Sequence, residues 1–153
     1  MTPRPVQWAR GLLGLVALSH LIVPIVMWAA RADLRTTIAE GSPELGPVEL
    51  GKAVDVAVGS AVVFHVLLLA LALWLIVKLP TGLPWVRRLA TVSQVLSVVF
   101  GFVSWSSSPM FHAVIPVVGL VEVALVVLLW APRASRAFFR GESKGSAPAP
   151  GPH

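Results

Sequence analysis

The sequence predicts an all-α integral membrane protein, an up-down bundle of four transmembrane helices. Apolar residues make up 56% of the 153 residues and charged residues only 12%, whereas soluble domains usually carry about 25% charged residues. Four apolar stretches are each long enough for a helix that crosses a bilayer core about 30 Å thick. Basic residues gather at one set of ends of these stretches. The composition excludes an independent soluble domain.

The four predicted spans follow the apolar stretches. All are too long for buried strands, and their Leu, Val and Ala content suits helices in lipid. They cover residues 11–30, 54–77, 89–105 and 111–130, after a cytoplasmic N-terminal segment of residues 1–10. The third is the shortest, but it is required because spans 2 and 4 otherwise cannot end where the charges place them.

The basic residues predict that both termini lie in the cytoplasm. Nine Lys and Arg residues precede span 1, follow span 2 or follow span 4, and three lie in the other two loops. Loops rich in Lys and Arg stay on the cytoplasmic side. The six tryptophans fall near the predicted span ends, at the headgroup depth that indole rings prefer. The predicted location is therefore the cell (cytoplasmic) membrane, in a multi-pass arrangement.

One alternative for span 1 is a cleaved signal peptide. Arg4 and Arg10 precede an apolar run that ends in the sequence ARA at residues 30–32. The run exceeds the usual length of about 7–15 residues for such a peptide, and it contains His20 and Pro24. We therefore favour an uncleaved anchor.

The external loop, residues 31–53, is the largest predicted segment outside the membrane. Residues 32–40 favour a short interfacial helix. Ser42 followed by Pro43 is typical of a helix start, and Pro47 repeats that signal, so span 2 is expected to begin above the membrane.

Residues 131–153 are predicted to form a basic, then disordered, cytoplasmic tail. Its end is rich in Gly, Ser, Ala and Pro and has no apolar residues to bury. Its arginines are expected to lie beside anionic lipid headgroups, and no nucleic-acid partner is expected.

Small residues in span 3 predict a close approach between helices. Ser93, Ser97 and Gly101 follow one another at four-residue intervals, which places them on one helix face. Pro24 and Pro116 each follow a histidine by four residues and predict local kinks, because proline leaves the carbonyl four residues earlier without its helical donor.

Ionisable residues within the predicted spans are the candidate functional residues, since such side chains are costly in lipid. His20, His65 and Glu122 lie at similar predicted depths. Asp55 and His112 fall near the outer surface, where Lys52 is a potential local partner of Asp55.

Four roles compete for His20, His65 and Glu122. They are a proton relay, a metal site, axial ligation of haem by the two histidines, and interhelical hydrogen bonding alone. No metal-binding motif accompanies them. We favour interhelical hydrogen bonding, with Glu122 neutral or bonded to His or Ser, and place the proton relay second.

Three stretches resemble small four-helix integral membrane proteins of actinobacteria. They are LPWVRRLATVSQVLSVVFGF (residues 83–102), LLWAPRASRAFF (residues 128–139) and TIAEGSPELGPVELGKAV (residues 37–54). The resemblance implies the four-helix fold and the membrane location, and it carries no catalytic residues.

The leading functional hypothesis is a non-enzymatic accessory or interaction subunit of the membrane. It is expected to act through helix faces such as Ser93, Ser97 and Gly101 and through the acidic outer loop. Its expected partners are the lipid bilayer and either another membrane protein or a second copy, with no resident cofactor or metal. The alternative is a small proton- or cation-handling, haem- or metal-binding bundle.

Overall fold

The computed structural model describes residues 1–107 and 112–141. Helices contain 88% of this part, and no strand lies within it. The helices are α1 (Arg4–Ala29), α2 (Arg31–Gly41), α3 (Pro47–Lys78), α4 (Pro84–Ser107), α5 (Val114–Trp130) and α6 (Arg133–Arg140), and a 3-10 turn (Leu79–Thr81) follows α3. The predicted all-α class is confirmed.

Three helical segments are long and apolar enough to cross a membrane, namely Arg4–Ala29, Pro47–Thr81 and Pro84–Trp105. A fourth arises if α5 and α6, which meet at a bend of 64°, form one broken span. With 17 residues, α5 alone is about 26 Å long, slightly less than the hydrocarbon core of a bilayer.

The helices extend beyond the apolar windows, because backbone hydrogen bonding does not stop where hydropathy falls. The first helix begins at Arg4, before the predicted start of span 1 at residue 11. The second long helix begins at Pro47, as the helix-start signal there predicted, ahead of the span at residues 54–77. Residue 111, at the predicted start of span 4, and residues 142–153 of the predicted tail lie outside the described residues.

The chain divides into two compact units. The terminal unit contains Met1–Val16 and Ala72–His153, and the central unit contains Ala17–Leu71. Both α1 and α3 therefore contribute a segment to each unit.

Within the terminal unit, α4 and α5 pack antiparallel. Gly101, late in α4, faces Ile115, early in α5, because a Cβ at Gly101 would lie 3.5 Å from the Ile115 Cγ2. Thr91, early in α4, accepts a hydrogen bond from the Trp130 indole at the end of α5, at 2.7 Å. The unit's buried apolar residues are Val6, Ala9, Leu13, Val16, Ala72, Leu75, Leu79, Val86, Ala90, Leu125, Leu129 and Phe139.

The central unit packs α3 against the second half of α1. Leu50, Val54 and Val58 are buried at four-residue intervals on one face of α3, and Ala17 and His20 are buried on α1. The neighbouring α2 buries none of its residues.

Large apolar side chains remain exposed around the long helices of both units. Ile25, Leu67, Phe102 and Leu120, one from each of α1, α3, α4 and α5, are 60%, 65%, 73% and 72% exposed. Soluble monomers rarely present apolar surface of this extent, whereas lipid is a suitable solvent for it.

Two local expectations are wrong, the helix start at Ser42 and the kink at Pro116. Ser42 and Pro43 lie in a turn and start no helix, because α2 ends at Gly41 and the next helix begins at Pro47. Pro24 lies inside the continuous helix α1, and the local kink expected there stays a prediction. Pro116 is the third residue of α5, in the first turn, where a missing N–H removes no helical bond.

The predicted basic tail begins with a folded element. The helix α6 buries Ser135 and Phe139, and the Ser135 hydroxyl donates to the Leu128 carbonyl at 2.8 Å. Residues 133–140 are therefore part of the packed terminal unit.

Candidate functional site

The two histidines predicted for the membrane interior meet within the central unit. His20 on α1 and His65 on α3 place their Nδ1 atoms 3.1 Å apart, and their ring centroids are 5.3 Å apart. His20 is 7% exposed and His65 is half-buried. His65 lies seven residues, about two helical turns, after the buried Val58 and therefore falls on a similar side of α3.

The short distance between the two Nδ1 atoms limits the protonation states that the two rings can adopt together. A hydrogen bond between two Nδ1 atoms needs a proton on one and a lone pair on the other, so the rings adopt different tautomers or share one added proton. The pair is therefore a place where one proton is held between two helices.

The same geometry bears on the metal and haem alternatives. Two nitrogens 3.1 Å apart can both reach one metal ion at about 2.0–2.1 Å. Haem requires axial ligands on opposite faces of the macrocycle, and rings that touch each other leave no space for one. The haem alternative does not fit this pair.

Glu122 belongs to the terminal unit, where it lies between α5 and α4. Its side chain is 2% exposed and forms a hydrogen bond with the Ser97 hydroxyl. The Glu122 Oε1 atom is buried with no hydrogen-bond partner. A carboxylate buried with so little compensation is costly, so this geometry suits a neutral carboxyl group.

A second buried polar layer lies one turn from Ser97 on α4. The Gln94 side chain is 4% exposed and donates from Nε2 to the Ser93 hydroxyl at 3.1 Å, which itself donates to the Ala90 carbonyl at 2.9 Å. The Gln94 Oε1 atom has no partner. Ser93 and Gln94 are visible in the sequence as polar residues of the predicted span 3. Their positions along the helix do not show that Gln94 is buried.

The predicted set of His20, His65 and Glu122 is thus divided between the two units. The structure brings the two histidines together in the central unit and pairs Glu122 with Ser97 in the terminal unit. Each pair links two helices of its own unit, which is the arrangement expected of interhelical hydrogen bonds.

The outer-interface residues have other partners than expected. Asp55 forms an ion pair with Arg31 on α2 instead of the predicted pair with Lys52. Arg31 also lies over the Trp28 ring, with its Cζ 4.9 Å from the centroid. Arg31 is the first residue of α2. Its contacts therefore join the start of α2 to α3 through Asp55 and to α1 through Trp28.

His112 is exposed and stacks on Trp105, with the ring centroids 4.5 Å apart. Its Nε2 lies 2.8 Å from the Trp105 carbonyl oxygen. This contact joins the last part of α4 to the residues directly before α5.

The small-residue face of α4 is occupied within the chain. Gly101 faces Ile115, Ser97 bonds to Glu122, and Ser93 is 7% exposed. These contacts are the close approach between helices that the spacing predicts, here with α5. The use of this face by a partner protein stays a prediction.

The sequence analysis missed an arginine held between aromatic rings at the junction of α4, α5 and α6. The Arg87 Cζ lies 3.9 Å from the centroid of Trp130 and 5.2 Å from that of Phe139. The Arg87 Nε is buried with no hydrogen-bond partner. The spacing of Arg133, Arg136 and Arg140 by three and four residues in RASRAFFR was the signal that could have predicted an amphipathic helix here.

No three His, Cys, Asp or Glu side chains come together as a potential metal site in residues 1–107 and 112–141. Comparison with protein families, curated proteins and solved structures finds no match to this chain. The resemblance to actinobacterial four-helix proteins stays a prediction.

Proposed function

We propose that this chain is a multi-pass protein of the cytoplasmic membrane, with four spans in an up-down bundle and both termini in the cytoplasm. The observation that carries the proposal is the exposed apolar surface on α1, α3, α4 and α5, which includes Phe102 at 73% exposure. The excess of basic residues in the predicted cytoplasmic segments supports the orientation.

Within the membrane, the chain acts as a non-enzymatic accessory or interaction subunit. The polar groups of the interior bond to each other between helices, as His20 does with His65, and such pairs hold helices together in lipid. The surface available for a partner is α2 with the following turn, which we call the outer cap (residues 31–46).

The outer cap has the features of a docking element. Its helix buries no residue, and a helix of 11 residues is only marginally stable by itself in water. The cap carries Asp33, Glu40 and Glu44 against Arg31 and Arg35, and Arg31 is paired with Asp55 of α3. Its excess negative charge favours a membrane protein with a basic outer segment.

Co-purification from native membranes in mild detergent tests the interaction role. We expect one defined membrane protein to accompany the wild type and to be lost when Glu40 and Glu44 are both changed to Lys. The control changes Thr36 and Thr37 to Ala, on the same exposed helix and without a change of charge. Capture that is equal for both variants contradicts the proposal, and capture of a second copy alone identifies self-association.

A second candidate function, proton handling, is favoured by the Nδ1 separation of 3.1 Å between His20 and His65. Two imidazoles in contact inside a membrane can accept a proton and pass it on. The test is proton flux into liposomes that contain the full chain. If the pair carries protons, His65→Gln lowers the flux strongly while His112→Gln leaves it unchanged.

Glu122→Gln examines the carboxyl group in the same assay. A flux that falls in this variant assigns Glu122 to the relay, and an unchanged flux removes it from that role. Wild-type flux no greater than that of empty liposomes rejects proton handling altogether.

A further inference from the structure

The terminal unit carries a dense group of arginines at the junction of α4 and α6. Arg87 and Arg88 lie in the first turn of α4, and Arg140 is the last residue of α6. The contact of Arg87 with the Phe139 ring, 5.2 Å from Cζ to centroid, brings these two helix ends together. The charges of Arg88 and Arg140 both act on Arg87. We call Arg87, Arg88 and Arg140 the arginine cluster.

The helix α6 extends this basic surface. Arg133, Arg136 and Arg140 are spaced three and four residues apart and are all exposed, whereas Ser135 and Phe139 on the opposite face are buried. A short helix with a basic outer face and an aromatic inner face is typical of the membrane interface. Because α6 meets α5 at a bend of 64°, α6 does not continue in the direction of α5.

The described residues of the terminal unit carry a large excess of positive charge. They contain eight Lys and Arg residues and a single carboxyl group, that of Glu122. Glu122 itself is buried in the middle of α5 and bonded to Ser97.

The tryptophan rings near the arginine cluster indicate its depth in a bilayer. Trp130 ends α5, packs against Arg87 at 3.9 Å and donates its indole N–H to Thr91. Trp74 and Trp85 pair near the turn between α3 and α4, with centroids 5.5 Å apart. Indole rings at helix ends favour the headgroup region of a bilayer, which is where lipid phosphates lie.

We propose that the arginine cluster binds the phosphate of an anionic phospholipid from the cytoplasmic leaflet. Guanidinium groups bind phosphate oxygens through paired hydrogen bonds. The packing of Arg87 against the Trp130 and Phe139 rings restrains one guanidinium, and Arg88 and Arg140 add exposed positive charge at the same junction. This inference rests on the proposed membrane location and orientation.

The test is native mass spectrometry of the full chain, purified in neutral detergent and titrated with phosphatidylglycerol or phosphatidylcholine. We expect the wild type to retain phosphatidylglycerol in preference. The double variant Arg88→Gln with Arg140→Gln should bind it roughly 30-fold more weakly, about fivefold for each arginine. The control, Arg35→Gln on α2, makes a comparable change at one arginine of the central unit and should bind as the wild type does.

Several results overturn the inference. They are equal retention of the two lipids by the wild type, unchanged binding by the double variant, and a loss of binding in Arg35→Gln as large as in the double variant. Addition of inorganic phosphate separates the sources of the anion, because displacement of the lipid at millimolar phosphate shows a site for free anions. Circular dichroism of the double variant in neutral detergent verifies that it is folded.

If the double variant does not fold, the preference of the wild type for phosphatidylglycerol over phosphatidylcholine still tests the proposed lipid site. Membrane fractionation distinguishes this failure from failure of the proposed function. A chain that partitions into membranes but shows no lipid preference contradicts only the lipid site, whereas a chain found in the aqueous fraction contradicts the membrane location itself.

Discussion

Buried polar side chains in this protein are arranged in pairs that cross from one helix to another. The bond between Glu122 and Ser97 joins α5 to α4, and the contact between His20 and His65 joins α1 to α3. In lipid, such bonds compensate for the weak hydrophobic drive between helices. Loss of one of these bonds should therefore lower the free energy of unfolding and leave the order and direction of the helices unchanged.

Removal of the Ser97 hydroxyl tests the first of these pairs. Ser97→Ala should lower the free energy of unfolding by about 0.6–2 kcal/mol, the range for interhelical hydrogen bonds in membranes. Denaturation in mixed micelles measures the change. Ser60→Ala is the matched control, because the Ser60 hydroxyl bonds only to the Ala57 carbonyl of its own helix. Equal effects of the two substitutions would show that the bond to Glu122 contributes nothing.

Gly82 is a residue whose backbone conformation determines the turn between α3 and α4. It has a φ of +70°, and a Cβ there would lie 3.2 Å from the Phe138 ring. Gly82→Ala should therefore cost more than the roughly 1–2 kcal/mol of a left-handed alanine.

Gly141→Ala is the control for Gly82, since Gly141 has a φ of +78° and no neighbouring atom within 4 Å of an added Cβ. It should cost only the conformational part. Thermal unfolding in detergent compares the two variants, and a larger loss in Gly141→Ala would refute the role assigned to Phe138.

The sequence identified the costly residues but not their partners. His20, His65 and Glu122 stand out because ionisable groups are rare in apolar helices. Which of them meet depends on how each helix is rotated, and a depth estimate along the helix axis carries no information on rotation. The pairing of Glu122 with Ser97 depends on that rotation.

At the scale of elements, the long helices were predictable because their apolar runs are longer than the apolar runs of strands or helices in soluble domains. The helix α6 was not, because its eight residues are too few for a hydropathy window and its arginines give a hydrophilic average. Its amphipathic order is visible only when Ser135 and Phe139 are considered at helical spacing.

Pro24 and Pro116 allow a prediction about α1 and α5. Pro24→Ala should stabilise α1 by up to about 3 kcal/mol, because it restores a backbone donor in the helix interior. Pro116→Ala should have little effect, since the first-turn N–H of α5 has no helical partner. Unfolding midpoints of the two variants measure the difference. A larger gain from Pro116→Ala would contradict the position assigned to it.

At the scale of the whole molecule, charge is distributed unequally along the chain. The described part of the terminal unit carries eight basic residues and one carboxyl group, while the central unit carries three basic residues and five carboxyl groups. The proposed orientation accounts for this difference, because basic segments remain on the cytoplasmic side. The lipid site proposed at the arginine cluster depends on the same orientation.

A dual topology reporter measures the orientation most directly. Alkaline phosphatase, active only outside the cytoplasm, and a fluorescent protein, which folds in the cytoplasm, are fused separately after His153 and within the turn after Gly41. We predict fluorescence without phosphatase activity at His153, and phosphatase activity without fluorescence after Gly41. Phosphatase activity at His153, or recovery of the fusion protein in the aqueous fraction, would contradict the account.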